Sequence, residues 1–243
     1  MPGFDSTFLI VVAGSFVAAF FNAAFSAGGA IIILAVTSTV LPVSAVVPIH
    51  SALLIGSTTT RVALFRSYID WKLTRAFLAG SVVGAGIGAR IYVELPDRVV
   101  ATAISCVMLV AIWLPQLKWR PAIRHPWVLV GFVHSLLSAL FAYGAVLQSI
   151  MLQTRLDRKQ VIGTMAGCLT GMGVFKIAGY ALAGFDYRPY LVLILCSLLA
   201  AVVATAFGKL VVDRLSESLF RVAYRVLVTV TALRLLYVGL AGP

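Results

Sequence analysis

Residues 68–98 read YIDWKLTRAFLAGSVVGAGIGARIYVELPDR, and residues 184–217 read GFDYRPYLVLILCSLLAAVVATAFGKLVVDRLSE. Each opens on an aspartate followed by an aromatic residue, runs through an apolar stretch and ends at a charged turn. The apolar part approaches the roughly 20 residues that a helix needs to cross the hydrocarbon core of a bilayer. Gly80, Gly84 and Gly88 correspond to Ala200, Ala204 and Gly208, a small residue at every fourth position. That spacing lines one helix face with small groups, so that two membrane helices can approach closely. An outline that occurs twice implies a duplicated chain.

The remainder of the sequence has the same character. Of 243 residues, 61% are hydrophobic and 11% charged, with a mean hydropathy of +1.05. Soluble domains are about 45–50% apolar and about 25% charged, so an aqueous fold is excluded. Apolar stretches fall near 6–25, 28–41, 45–66, 72–92, 99–116, 127–153 (interrupted), 160–182, 189–211 and 218–240. The expectation is an all-α polytopic membrane protein, with a first transmembrane repeat over 1–117, a cytoplasmic linker over 118–126 and a second repeat over 127–243. The opening MPGFDSTFLIVVAG has no basic region before its apolar residues and reads as a retained first helix. Cys106, Cys168 and Cys196 lie inside apolar segments and imply neither a disulfide framework nor a metal site. No metal and no cofactor is expected.

A net charge of +11 would point to nucleic acid in a soluble chain. Here the cations sit in short loops, where they set orientation, so no nucleic-acid partner is expected. Residues 61–75, 118–124, 155–159 and 209–225 carry Arg61, Arg66, Lys72, Arg75, Lys118, Arg120, Arg124, Arg155, Arg158, Lys159, Lys209, Arg214, Arg221 and Arg225, and the intervening loops only Arg90, Arg98 and Arg188. The first set is therefore cytoplasmic and both termini lie outside. Trp71, Trp113, Trp119 and Trp127 flank those loops as interfacial anchors. The two halves are then inserted upside down relative to each other. Inverted-topology repeats are an architecture of secondary transporters, with the substrate site near the midplane, and channels share it.

The polar residues narrow the substrate. Asp5, Asp70, Glu94, Asp97, Asp157, Asp186, Asp213 and Glu217 all fall at segment ends or in loops. A cation path needs an intramembrane carboxylate to offset desolvation, so a cation substrate is disfavoured. Arg61 and Lys176 lie within spans and fall on equivalent positions when Pro48, Ala52 and Gly56 are aligned with Gly163, Gly167 and Gly171. Two symmetric cations without a local acid suggest an anion between them. The alternatives are snorkelling to an interface and attraction to the negative end of a helix dipole.

Ser26, Gly28 and Gly29 mark a break in the first half, with Asn22 just before it, and Tyr143, Gly144 and Gln148 occupy the matching interruption in the second. Backbone N–H groups freed at such breaks favour a negative ligand. Thr60 and its neighbours Thr58 and Thr59 offer hydroxyl donors or bond to their own helix. His50 and His134 titrate near neutrality and are candidates for proton coupling, with a satisfied core histidine as the alternative. No G-x-S-x-G, H-E-x-x-H or paired intramembrane aspartate occurs, so no enzyme is expected.

The break FSAGGAIII (25–33) and the stretch 68–98 resemble the TauE/SafE family of sulfite and organosulfonate exporters. VIGTMAGCLTGMGVFKIAGYALAGFDY (161–187) and LAAVVATAFGKLVVDRLSESLFRVAYRVLVTVTALRLL (199–236) resemble its second repeat. Such proteins usually carry longer glycine runs than Gly28-Gly29 and the lone Gly144. The resemblance implies a bacterial inner-membrane transporter that exports a small sulfur oxyanion or sulfonate, with membrane lipid and a small anion as partners. An anion channel or passive facilitator is the other reading, and homodimerisation is left open.

Overall fold

The computed structural model describes residues 6–25, 28–113, 126–151, 153–211 and 217–241. They form α1 Ser6–Phe25, α2 Gly29–Val40, α3 Val43–Phe65, α4 Trp71–Glu94, α5 Asp97–Trp113, α6 Pro126–Phe141, α7 Ala145–Met151, α8 Arg158–Leu182, α9 Leu191–Val211 and α10 Glu217–Ala241, with no strand among the described residues. Asp5, Ser26, Asp213 and all of the linker but Pro126 lie outside them.

Among the described residues, four spans are long and apolar enough to cross a membrane: Val43–Tyr68, Trp71–Glu94, Arg158–Leu182 and Arg188–Thr205. Val82 and Val83 on α4 and Leu195 and Leu199 on α9 are more than half exposed. An outward apolar surface of this kind suits lipid and not water. The chain is an all-helical polytopic membrane protein. By contrast α2, at 12 residues, is about 18 Å long and α7, at 7 residues, about 10 Å. Neither spans the roughly 30 Å hydrocarbon core alone.

Capping explains where the acids stand. Asp70 accepts from Leu73 N at 3.0 Å and begins α4. Asp157 forms a capping box with Gln160 that begins α8, at 2.9 and 3.1 Å. Asp186 accepts from Arg188 N at 3.0 Å in the turn before α9. Carboxylates at these places satisfy helix-start N–H groups and favour the positive dipole end. Glu94 pairs with Arg90 at 2.8 Å on the exposed end of α4.

The chain forms two compact units, divided within α3 between Ser57 and Thr58. The first holds α1, α2, the start of α3, α5, α9 and α10. Here α1 packs on α9 through Ala19, Ala201 and Ala204, with Phe20 beside them, and Gly56 of α3 faces Leu198 of α9. The second unit holds the end of α3, α4, α6, α7 and α8. Its core is Leu73, Phe77, Val130, Leu147, Ile150, Met151, Cys168 and Met172. Gly80, Gly84 and Gly88 of α4 all meet α6, where Gly80 lies on the Val128 carbonyl and Phe132 N, and Gly131 of α6 lies on the Phe77 backbone. Gly167 and Gly171 of α8 face Thr74 and Leu78 of α4. The hydroxyl of Thr164 accepts from Asp70 N at 2.9 Å and ties α8 to the turn before α4.

Candidate functional site

The apolar stretch 127–153 is interrupted where its sequence places a glycine, but the geometry turns on a different residue. α6 ends at Phe141, residues 142–144 are non-helical and α7 restarts at Ala145. The left-handed residue is Ala142, with φ 56°, while Gly144 is exposed and a Cβ there would meet open space.

Lys176 of α8 reaches the end of α6. It is 2% exposed, and its Nζ donates to the Ser138 carbonyl at 2.9 Å and to Ser138 Oγ at 3.0 Å. One turn further along α8, the Tyr180 hydroxyl donates to the Ala139 carbonyl. The last carbonyls of a helix lack intrahelical donors; Tyr180 supplies one at Ala139, and Lys176 adds a second donor to the Ser138 carbonyl one residue before. Ser138 O also accepts from Ala142 N at 3.0 Å. An ammonium at the centre of a span costs about 2.5–3.5 kcal/mol on insertion scales. Two hydrogen bonds from a charged donor, about 1.5–3 kcal/mol each, with up to about 2 kcal/mol from the helix C-terminus, cover that cost without a carboxylate. None pairs with Lys176 among the described residues.

His134 lies one turn before Ser138, so their side chains share a face of α6. It is fully buried, its ring stands 5.7 Å from that of Phe77, and it is within electrostatic reach of Lys176. Nδ1 accepts from Leu147 N, in the first turn of α7, at 3.2 Å. In the neutral ring the proton is then on Nε2, which has no acceptor among the described residues. The third Lys176 N–H is likewise without an acceptor among them. The Ser135 hydroxyl, next along α6, is also buried and unpartnered there.

The first break is built differently. Gly28, at φ 90°, is the N-cap of α2, and its carbonyl accepts from Ile31 N at 3.1 Å and Ile32 N at 3.0 Å. Gly29 lies so close to the Ala18 carbonyl and Asn22 Cβ that no side chain fits. His50 Nε2 donates to Ala30 O at 2.9 Å. A histidine thus braces the first turn of each short helix, His50 on α2 and His134 on α7. Beside the first break, Ser15, Asn22, Gly29 and Ser57 line a cavity of about 10 Å³, room for about one water.

The sequence candidates therefore divide. Gly28, Gly29 and His50 belong to the first unit, and Thr60, Arg61, His134, Gly144, Gln148 and Lys176 to the second. Within the second, Lys176 and His134 are brought together at α6, while Arg61 and Thr60 sit partly buried on α3 and Gln148 on α7. Ser138, Tyr180 and Ala142 were not singled out by sequence. The i, i+4 pairs Lys176–Tyr180 and His134–Ser138 were the signal available for the first two. Nothing in the sequence marks Ala142.

The Sulfite exporter TauE/SafE family profile matches residues 11–235, from α1 into α10. The chain belongs to the TauE/SafE family. TauE/SafE proteins are membrane transporters for sulfur anions and not enzymes. No curated protein and no solved structure matches the chain. The TauE/SafE match runs through both helix breaks and so covers Lys176 and all its partners.

Proposed function

We propose that this protein exports sulfite or an organosulfonate across a bacterial inner membrane by alternating access, with Lys176 supplying charge to the anion. The carrying observation is the buried Lys176 ammonium, bonded to Ser138, electrostatically coupled to His134 and, among the described residues, without a carboxylate partner, as the His134 Nε2–H is without an acceptor. Buried donors without acceptors are costly, and a sulfur oxyanion offers several acceptor oxygens and the opposite charge. Arg61, Thr60, Gln148 and the backbone at Gly144 complete the reading in the second unit; Ser26, Gly28 and Gly29 are the corresponding group in the first.

The duplication within the inverted-repeat reading, whose orientation with both termini periplasmic rests on the loop cations, is supported by how helices pair. α4 lies on α6 as α9 lies on α1, and Gly171 of α8 meets α4 as Gly56 of α3 meets α9. These are the pairings that the sequence correspondence relates to each other. A coupling proton that enters at His134 binds Nδ1 and displaces the Leu147 N–H, which would link protonation to the start of α7.

Proteoliposomes loaded with sulfite or methanesulfonate test this. The parent is expected to release one of them at least tenfold faster than empty-protein liposomes, and Lys176→Met to lose most of that rate. Release no faster than from protein-free liposomes for both anions would refute the exporter. Parent-like release by Lys176→Met would refute the role of the lysine.

A further inference from the structure

A helix that ends inside a membrane presents unpaired carbonyl oxygens and the negative end of its dipole. In transporters with interrupted helices, such ends and the unwound carbonyls beside them hold the coupling sodium ion or proton. At the end of α6 that position is filled from within the chain. Lys176 Nζ stands 2.9 Å from a backbone carbonyl oxygen and 3.0 Å from a hydroxyl oxygen, both of Ser138. These are hard, neutral oxygens, the ligand type a small hard cation selects. The same carbonyl carries the Ala142 N–H that closes the helix, so the lysine sits at the break itself.

We propose that the Lys176 ammonium is a tethered cation standing in the place of a coupling metal ion at the C-terminal end of α6, so that anion transport by this protein requires no sodium. This rests on the exporter reading above. Two further features support it. First, the break is held by the chain alone: His134 fixes the start of α7 through Leu147 N, and Tyr180 holds Ala139 O. No added ion is needed to keep either helix end in place. Second, the buried titratable groups described on the packed elements, besides Lys176, are His134 on α6, Tyr92 on α4, and Tyr180 and Cys168 on α8, and none is a carboxylate; Glu94 of α4 is exposed and paired with Arg90. A metal ion entering here would meet a fixed ammonium and no anionic ligand.

The test is counterflow of radiolabelled sulfite in proteoliposomes, at equal ionic strength in sodium or choline. The parent is expected to give rates within twofold in the two media. Lys176→Ser, which vacates the position and adds an oxygen, is expected to fall at least tenfold in choline and to recover at least fivefold with sodium or methylammonium. A parent rate that drops tenfold without sodium would overturn the proposal and leave the exporter reading standing. Absence of counterflow in both media would remove that reading and the proposal with it. A monodisperse Lys176→Ser protein that runs at the parent rate in choline, or that no small cation restores, would also overturn it. Should Lys176→Ser fail to fold, Lys176→Gln decides together with the parent comparison. That variant keeps a donor for Ser138 without charge, so loss of counterflow supports the proposal and parent-like counterflow refutes it.

Discussion

The seam between α4 and α6 carries the helix whose end holds the candidate site, and Gly131→Ala tests it. A Cβ built on Gly131 would fall on the Phe77 carbonyl oxygen, 2.8 Å from Phe77 C and 3.0 Å from its Cα. Unstrained carbon contacts begin near 3.5 Å. The obstructing atoms are backbone, so no rotamer change relieves them and the helices must part by about 1 Å. Overpacking of this sort costs about 1–3 kcal/mol, with the upper end expected where backbone must move. The gain in helix propensity from glycine to alanine returns about 1 kcal/mol. The net loss is therefore about 2 kcal/mol, which at this chain length lowers Tm by about 4–8 °C. Gly86→Ala is the internal control. It lies on the same pair of helices but on α4's open side, where a Cβ meets nothing within 4 Å, so the propensity gain is unopposed and Tm should rise by about 2–4 °C. Thermal unfolding in detergent, followed by loss of the monodisperse peak, reads both. A Gly131→Ala protein as stable as the parent, or two shifts of the same sign, would show that close approach does not hold this seam.

Two local substitutions probe the helix ends. Ala142→Gly should raise stability by about 1 kcal/mol in chemical denaturation, because an L-residue in the left-handed region costs about 1–2 kcal/mol and glycine does not, less its greater chain entropy; a loss would mean that the Ala142 methyl packs usefully at the break. Asp157→Ala should lose about 1 kcal/mol and about 2–4 °C in Tm through the capping box at the start of α8, and an unchanged melt would show that the cap is redundant.

Much of the fold was legible because the bilayer imposes simple rules. Length and hydropathy delimit the spans, and the stretches near 6–25, 72–92 and 160–182 lie close to α1, α4 and α8. The i, i+4 glycines identified the contact face of α4. On α9 the pattern located the right face less sharply: the buried contacts are Ala201 and Ala204, and Ala200 is only half-buried. Alanine pervades that segment, so composition does not choose between neighbours. The break at 142–144 was visible as a disturbance in the apolar run, yet its left-handed residue is Ala142. A single alanine carries no sign of its φ, since tertiary contacts at Ser138 and His134 impose it. The candidate site shows the same limit. Lys176 stood out through charge alone, but its partner Ser138 is 38 residues away, and no periodicity links them. His50 and His134 stood out as titratable groups, and what the structure adds is that each bonds the backbone of a short helix.

The placement of charge follows one logic throughout. At the starts of α4 and α8, Asp70 and Asp157 match negative charge to a positive dipole end at the edge of a span. Lys176 does the converse in the interior, matching positive charge to the negative end of α6. A carboxylate in that place would repel the helix end and invite a cation to neutralise both; the lysine neutralises the end and leaves a surplus of positive charge and an unused donor. A metal ion bound there would leave the same sign of charge, but it could depart between transport cycles. A tethered ammonium cannot. The local field at the break is therefore fixed in favour of an anion whatever salts the two compartments contain, which is the property an exporter of negative ions needs when its substrate leaves and the site must return empty.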